Sequence, residues 1–247
     1  MTALLRLRAS RLQQPPAFFG AMPLGGRPIY SWLAGRFLPG PRDKNASGPS
    51  YFLPNAKDAY GVAFCPTTTS VITLSTNLSV TNAGLYLNGF SVLVALVPTA
   101  YGTTGSNTAG FVSNEPAISF ILTSSSTTIT AAWGGTGNLV YSGPAVPLGS
   151  LLTVIHTKDV SGNASLWVNG FLQVSNSSQT TVVATARAAY VVSAASSATV
   201  NFHMFHTEGQ VWSPTQCALY SQIPWMVYGS ASRLLVPSDN FLGQASL

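Results

Sequence analysis

Six acidic residues and three histidines are the side chains of this 247-residue chain that could act as acids, bases or metal ligands. The acidic residues are Asp43, Asp58, Glu115, Asp159, Glu208 and Asp239. Hydrolysis of a glycosidic bond needs two carboxylates held a fixed distance apart. These residues are isolated in sequence, so only the fold could bring Glu115 and Glu208 together. We expect no catalytic residue and no enzyme, and a polysaccharide hydrolase built on those two carboxylates is the enzymatic alternative.

The three histidines, His156, His203 and His206, raise the question of a metal site. His203 and His206 are three positions apart in a predicted strand, and that spacing places side chains on opposite faces. A tetrahedral zinc site also needs further Cys, His or Asp ligands within reach. The sequence therefore predicts no metal and no cofactor, with the histidines packed inside the fold.

Two aromatic residues beside glycine-rich segments are candidates for binding sugars. Tyr101 lies in a predicted loop at 98–110, and Trp133 precedes the turn Gly-Gly-Thr-Gly-Asn at 134–138. Rings of Tyr and Trp can stack on sugar faces because they combine a flat apolar surface with a polar tip. The alternative is that both rings belong to the core or to a subunit contact.

Charge is scarce and unevenly distributed along the chain. Only 7% of the residues are charged, against roughly 25% in average proteins. Residues 1–44 carry seven basic residues and one acidic residue, a net charge of +6, whereas residues 45–247 carry four basic and five acidic residues, a net charge of −1. A soluble monomer normally exposes more charge. The composition therefore indicates a surface buried in an assembly, or a robust extracellular or particle protein.

Residues 1–56 are predicted to form an extended basic arm. Residues 1–20 could form a short amphipathic helix that ends at Pro15-Pro16. Residues 21–56 are rich in proline and show no hydrophobic period, yet they carry more aromatic residues than a disordered linker does. The predicted docking residues are Arg6, Arg8, Arg11, Phe18, Phe19, Tyr30, Trp32 and Phe37. We expect the arm to dock on an acidic surface of a neighbouring subunit; nucleic acid is the less favoured partner, because the arginines are thinly spread. The alternatives are an arm wrapped on its own domain and a mitochondrial transit peptide.

Antiparallel strands are the elements that would position these side chains, and the clearest pair lies at 151–174. Two runs rich in β-branched and aromatic residues flank the turn Ser161-Gly162-Asn163, which predicts a β-hairpin. Asn169-Gly170 predicts a second tight turn, because both residues tolerate positive φ.

The rest of the body repeats this pattern of short strands and turns. Predicted strands lie at 61–64, 71–74, 90–97, 117–122, 127–133, 139–141, 180–186, 189–194 and 199–205. The strand at 90–97 is apolar on both faces and is expected to be central. Ser213-Pro214-Thr215-Gln216 predicts a helix start with Ser at the N-cap and Pro at the first position. Many strands with a single short helix predict an all-β, antiparallel two-sheet sandwich.

Two segments resemble a known family. The run TVIHTKDVSGNASLWVNGFLQ resembles the hairpin of concanavalin A-like/laminin-G-like domains. The run VWSPTQCALYSQIPWMVY resembles the ending of such domains in tailed-phage virion structural proteins, with Ile223-Pro224-Trp225 in place of Asn-Pro-Trp. The resemblance implies a concanavalin A/laminin-G-like jelly roll at 57–228, preceded by the arm at 1–56 and followed by a C-terminal tail at 229–247.

The sequence leaves two features open. Laminin-G domains often hold Ca²⁺, which would make Asp159 a candidate ligand, although the oxygen-rich partners of such a site are not evident in the sequence. Cys65 and Cys217 could form one disulfide or remain two buried thiols.

The resemblance, the low charge and the arm together predict a non-enzymatic structural protein of a bacteriophage particle. We expect a capsid decoration or cement protein at the virion surface, whose partners are the major capsid protein or other virion subunits. We also expect a closed homo-oligomer, with a trimer as the working hypothesis, and no transmembrane helix. The alternative is a tail or fibre adhesin that binds host-surface glycans through Tyr101 and Trp133.

Overall fold

A computed structural model describes residues 28–33, 56–63, 71–78, 89–111, 116–133, 138–178 and 187–228. These contain fourteen strands, one α-helix and one 3₁₀ helix. The strands are β1 Pro28–Leu33, β2 Ala56–Asp58, β3 Gly61–Ala63, β4 Val71–Leu78, β5 Phe90–Ala100, β6 Asn107–Phe111, β7 Ala117–Leu122, β8 Ser126–Ala132, β9 Leu139–Pro144, β10 Leu152–Lys158, β11 Ala164–Val168, β12 Phe171–Asn176, β13 Arg187–Ser193 and β14 Thr199–Glu208. Helix α1 spans Pro214–Gln222, and the 3₁₀ helix spans Pro224–Tyr228.

Two six-stranded antiparallel sheets form the body, which confirms the predicted β-sandwich. The first sheet has the order β1-β14-β5-β10-β11-β12, and the second has the order β4-β13-β6-β7-β8-β9. Strands β2 and β3 pair separately as a short hairpin. The predicted central strand is β5, which pairs with β14 on one side and β10 on the other.

The hairpin predicted at 151–174 is present, formed by β10 and β11. Val154 of β10 lies opposite Val168 of β11, and Lys158 lies opposite Ala164. Asn169 and Gly170 both adopt positive φ, 48° and 95°, as a tight turn between β11 and β12 requires. The alternation of apolar residues then directs one face of β11 into the core.

The main core lies between the two sheets. It is built from alternate residues of facing strands, so each strand contributes every second side chain. The largest members are Phe90, Leu96, Ile118, Phe120, Trp133, Phe202 and Phe205. Each of these side chains is at most 1% exposed, which gives the sandwich its principal hydrophobic stabilisation.

A second apolar cluster lies on the outer face of the first sheet, beneath α1. Trp212, Cys217 and Trp225 pack there against Leu93 and Met204. The helix begins as predicted: Ser213 Oγ accepts a hydrogen bond from Gln216 N at 3.3 Å, and Gln216 Oε1 accepts one from Ser213 N at 2.9 Å. This reciprocal capping satisfies two backbone N–H groups that a helix start otherwise leaves unpaired.

Three sequence predictions require correction. The predicted loop at 98–110 contains β6, whose Asn107 is buried and donates from Nδ2 to Ser193 Oγ at 2.8 Å and to Ala198 O at 3.0 Å. The strand predicted at 61–64 forms the small β2–β3 hairpin and not a strand of either large sheet. Residues 28–33, predicted to be arm, form β1 at the edge of the first sheet.

Several predictions concern residues outside the described ranges. These are the strand at 180–186, the tail at 229–247, Cys65 and Glu115. Within the described ranges, neither helix has the length and apolar character that a membrane span requires.

Candidate functional site

The outward side of β7, β8 and β9 is a continuous surface without charge. Register places Ser119, Thr130 and Val140 in one row across the three strands, and Ile121, Thr128 and Ser142 in the next row. These six side chains are partly or fully exposed, whereas their neighbours in sequence point into the core. We call this surface the uncharged face. Its hydroxyl groups can donate and accept hydrogen bonds without the desolvation cost of an ion.

Charged side chains are absent from most of the described surface. In residues 89–111, 116–133, 138–178 and 191–228 the charged residues are Lys158, Asp159 and Glu208. Lys158 and Glu208 are buried, with 6% and 3% exposure. Asp159 alone of these three is partly exposed. These four segments therefore present a nearly neutral exterior.

Exposed apolar side chains also lie on the edge strands of the two sheets. Strands β9 and β12, the last strands of their sheets, contact one another. Val140 of β9 is 50% exposed, and Phe171 and Leu172 of β12 are 68% and 49% exposed. We call these three residues the exposed edge residues. Val140 also belongs to the uncharged face.

The strand β14 carries two histidine–carboxylate pairs on its helix-covered side. His203 Nε2 lies 2.9 Å from Asp58 Oδ2, and His206 Nε2 lies 3.1 Å from Glu208 Oε1. The ring of His203 packs edge-on against Trp225 at 5.9 Å, and that of His206 stacks on Trp212 at 5.9 Å.

The prediction that His203 and His206 face opposite sides of the strand is wrong. Phe202 pairs with Leu96 and Met204 pairs with Ala95, which leaves His203 as the extra residue of a β-bulge. A bulge shifts by one residue the alternation of side chains between the two faces of a strand. Both rings therefore contact tryptophans of the outer cluster.

Each carboxylate of these pairs is held ionised by its hydrogen bonds. Burial raises the pKa of Asp58, but hydrogen bonds from His203 and Asn201 outweigh it, so the pKa falls below 3.8. Burial likewise raises the pKa of Glu208, and hydrogen bonds from His206, Trp212 and Gln210 bring it below 4.5. These hydrogen bonds link separate segments of the chain. Asp58 links the β2–β3 hairpin to β14, and Glu208 links β14 to the segment that leads into α1.

The arrangement around Glu208 does not fit catalysis. Its Oε2 accepts hydrogen bonds from Trp212 Nε1 at 2.8 Å and Gln210 Nε2 at 2.9 Å, and Trp212 covers the neighbouring ring of His206. Ser91, fully buried nearby, donates from Oγ to Gln210 O at 2.8 Å and accepts from Trp212 N at 2.8 Å. A catalytic acid must contact its substrate, and this carboxylate is closed off from one. Glu115, its partner in the hydrolase alternative, lies outside the described residues.

Trp133 is a core residue, which contradicts its interpretation as an exposed sugar platform. It is 1% exposed, and its ring stacks on Phe90 with centroids 4.4 Å apart. Lys158 Nζ lies 5.6 Å from the centre of the same ring. A sugar cannot reach these faces while the sandwich is folded. The sequence suggested exposure because glycines follow Trp133.

Tyr101 is partly buried, and its hydroxyl is engaged. The phenol donates to Val146 O at 3.0 Å, which fastens the loop after β5 to the loop after β9. Its role in glycan binding stays a prediction.

Asp159 closes a turn, because each of its carboxylate oxygens accepts a hydrogen bond from Asn163. Oδ1 accepts from Asn163 N at 2.8 Å, and Oδ2 accepts from Asn163 Nδ2 at 2.6 Å. Across the described ranges, no three His, Cys, Asp or Glu residues cluster as a metal site would require. Cys217 is a buried thiol whose pKa burial raises to about 12.

The predicted docking residues of the arm fall into two groups. Tyr30 and Trp32 lie in β1, opposite Thr207 and Phe205 of β14. Arg6, Arg8, Arg11, Phe18, Phe19 and Phe37 lie outside the described residues. The exposed edge residues and the uncharged face were not predicted from the sequence. The alternation of Ser or Thr with apolar residues in β7 and β8 is the signal that could have found the uncharged face.

No protein-family model and no curated protein sequence matches the chain. Similar solved structures include a heptameric SAP-like pentraxin from Limulus polyphemus, with 13% identity and a TM-score of 0.44 over 54% of this chain and 70% of the pentraxin. The binding domain of botulinum neurotoxin DC, in complex with rat synaptotagmin II, has 11% identity and a TM-score of 0.44 over 61% of this chain and 38% of its own length. The binding domain of serotype D/C has 12% identity and a TM-score of 0.46, over 61% and 39%. This chain therefore spans less than two fifths of those neurotoxin structures, and similarities this weak assign it no function.

Proposed function

We propose that the chain is a non-enzymatic structural subunit of a multi-subunit particle. The observation that carries this proposal is the uncharged face, together with the exposed edge residues of β9 and β12. Between them they expose hydroxyl and apolar groups and no ion. Burying such a surface against another protein needs no paired charge and removes apolar area from water.

The electrostatics of the whole chain support the same function. The body has almost no net charge, whereas residues 1–44 carry +6. A surface near neutrality favours association over solubility, and a basic arm is attracted to acidic protein surfaces. The body would supply broad packing contacts, and the arm would supply attachment to neighbouring subunits.

The particle we propose is a bacteriophage virion, with the chain as a capsid decoration or cement protein. The resemblance of the ending at 211–228 to that of concanavalin A-like domains in tailed-phage virion proteins supports this choice. Its partners would be the major capsid protein and other copies of itself.

Copy number tests this function. Purified particles would be analysed by quantitative mass spectrometry, with the chain measured against the major shell protein. A ratio of one, or a simple fraction of it, is the expected result for a decoration protein. A few copies per particle would instead indicate a tail or fibre component. Absence from particles would remove the virion function.

A second candidate function, a glycan-binding adhesin, is favoured by one observation. Phe171 is the single aromatic side chain that is exposed among the described residues with assigned burial. The amides of Gln173 and Gln222 lie near it, since Gln173 is two residues along and Gln222 contacts Gly170. An aromatic ring beside amide groups suits a sugar face. Loss of glycan-array binding on Phe171→Ala, with binding retained on Val160→Ala, would support the adhesin; equal binding by both variants would exclude Phe171 as its platform.

A further inference from the structure

We infer that β1 is an exchangeable strand: in the assembled form, β1 of one copy pairs with β14 of a neighbouring copy. This inference rests on the proposed function and names the contact that links the subunits. In the structure, β1 lies antiparallel to β14 of the same chain, with Tyr30 opposite Thr207 and Trp32 opposite Phe205. The partner is thus a second copy of this chain, and the receiving surface is the edge of β14.

Among the described strands, β1 pairs with β14 alone. β1 occupies the end of the first sheet, and β14 is its one neighbour there. Within the described residues it is therefore joined to the sheet on one side only. Removing it breaks the β1–β14 ladder and leaves the other pairings of the sheet in place.

The chain between β1 and the body is long enough to reach another subunit. Twenty-two residues, 34–55, separate Leu33 from Ala56 of β2. A segment of this length spans up to about 70 Å when it is extended. That distance exceeds the diameter of a domain of this size, about 35 to 40 Å. The length of this segment therefore allows β1 to reach β14 of its own copy or β14 of a neighbouring copy.

The edge of β14 must be covered, whichever copy supplies the strand. β1 pairs with the last five residues of β14, Met204–Glu208. Without β1 the outer backbone groups of these residues would be unpaired, and an open strand edge promotes uncontrolled association. Pairing in trans satisfies the same backbone groups through the same contacts as pairing in cis. Exchange of an identical element therefore costs little, and a high local concentration of subunits favours it.

Photo-crosslinking of coexpressed full-length chains tests the exchange. One chain, carrying an extra tag, would have the photoreactive p-benzoylphenylalanine in place of Tyr30, which preserves an aromatic side chain. The other chain would be unchanged. After irradiation of the purified assembly, crosslinking in trans gives a dimer on a denaturing gel, with the bond mapped to β14. Crosslinking in cis leaves the mass of a single chain.

A matched control places the same photoreactive group at Phe171, on the opposite edge of the same sheet. We expect the dimer linked to β14 to be the main product for position 30 and to be missing for position 171. A disulfide version provides an independent measurement, with Tyr30→Cys in one chain and Thr207→Cys in the other. Photo-crosslinks confined to single chains, together with no disulfide-linked dimer, would overturn the exchange.

The two proposals fail in different ways. Crosslinks within single chains in a protein that is present at stoichiometric copy number on particles would refute the exchange and preserve the structural function. Crosslinked dimers in a protein that is absent from particles would preserve the exchange and refute the virion function.

Discussion

Asp58 and Glu208 show how individual side chains hold distant segments of this protein together. Asp58 accepts hydrogen bonds from Asn201 Nδ2 and His203 Nε2, both at 2.9 Å, and from Tyr60 N at 2.8 Å. The hairpin that follows the arm is thereby anchored to β14. Hydrogen bonds to an ionised group are worth about 1.5–3 kcal/mol each, so the ionised state of these carboxylates matters for stability.

Acid is expected to destabilise the protein through these two carboxylates. Their pKa values are lower in the folded chain than the ordinary values of 3.8 and 4.5. A carboxylate whose pKa is lowered by folding contributes its full stabilisation at pH values above its pKa in the unfolded chain. That stabilisation is lost as the pH falls through its pKa in the folded chain. Urea unfolding at a series of pH values should therefore show a contribution from these carboxylates to the loss of stability that begins near pH 4.5 and continues below pH 3.8.

Replacement of the carboxylates by amides tests this assignment. Asp58→Asn and Glu208→Gln should each lower the free energy of unfolding at pH 7 by about 2 kcal/mol and flatten the decline below pH 4.5. Asp159→Asn is the matched control, because that carboxylate is partly exposed in a turn and should contribute less. An undiminished acid response in both amide variants would refute the role of the pairs.

His156 should produce a separate pH dependence at higher pH. Burial lowers the pKa of His156 from 6.5 to about 4. Below pH 6.5 the unfolded chain therefore binds a proton that the folded chain excludes, and stability falls until about pH 4. The loss amounts to about 3 kcal/mol, at 1.36 kcal/mol for each pKa unit.

The variant His156→Leu should abolish the decline between pH 6.5 and pH 4. It removes the contact of Nδ1 with Ser165 O at 3.2 Å, but also the buried Nε2 that has no hydrogen-bond partner. Stability at pH 7 should change by about 1 kcal/mol or less. Asp58→Asn should leave this window intact. A decline that persists in His156→Leu would mean that another group excludes the proton.

At the scale of elements, α1 depends on its capping residue. The helix covers the outer tryptophans, and its start is closed by Ser213 and Gln216. Ser213→Ala should lower the free energy of unfolding by about 1 kcal/mol, since the N-cap hydrogen bond is lost. Thr215→Ala, exposed in the first turn, is the control and should have no destabilising effect. Equal unfolding midpoints for the two variants would contradict the role of the cap.

The sequence predicted most elements because local chemistry determines them. Asn169-Gly170 and Ser213-Pro214 are signals that need no tertiary information, and the structure confirms the turn and the helix that they predict. β6 was missed because it is short, and its Asn107 and Gly110 are typical of turns. Asn107 is tolerated in the core only because Ser193 and Ala198 accept its hydrogen bonds.

The candidate site was less predictable than the fold. The shared orientation of His203 and His206 depends on a bulge at His203, which arises from pairing with β5. The burial of Trp133 depends on Phe90, which is 43 positions away in the chain. The uncharged face joins three strands, so it becomes a surface only through their register. Each of these features requires non-local pairing, and one sequence does not specify it directly.

At the scale of the whole molecule, the division between a neutral body and a basic arm is the main property to be explained. Lys158 and Glu208 are buried, so across residues 89–111, 116–133, 138–178 and 191–228 Asp159 is the one charged side chain left at the surface. We expect this exterior to be covered in the assembled protein. A single charge placed in the middle of the uncharged face should then prevent assembly without affecting the fold.

Sedimentation velocity of the variant Thr130→Lys tests this central claim most directly. Thr130 lies in β8 between Ser119 and Val140 and points outward, so the fold should tolerate lysine, whereas an interface would have to bury its charge. Ser124→Lys, in the exposed turn between β7 and β8, is the matched control. We predict that the unchanged chain and Ser124→Lys sediment as one oligomer and that folded Thr130→Lys sediments as a monomer. An unchanged chain that is a stable monomer, or a Thr130→Lys variant that assembles normally, would contradict the account.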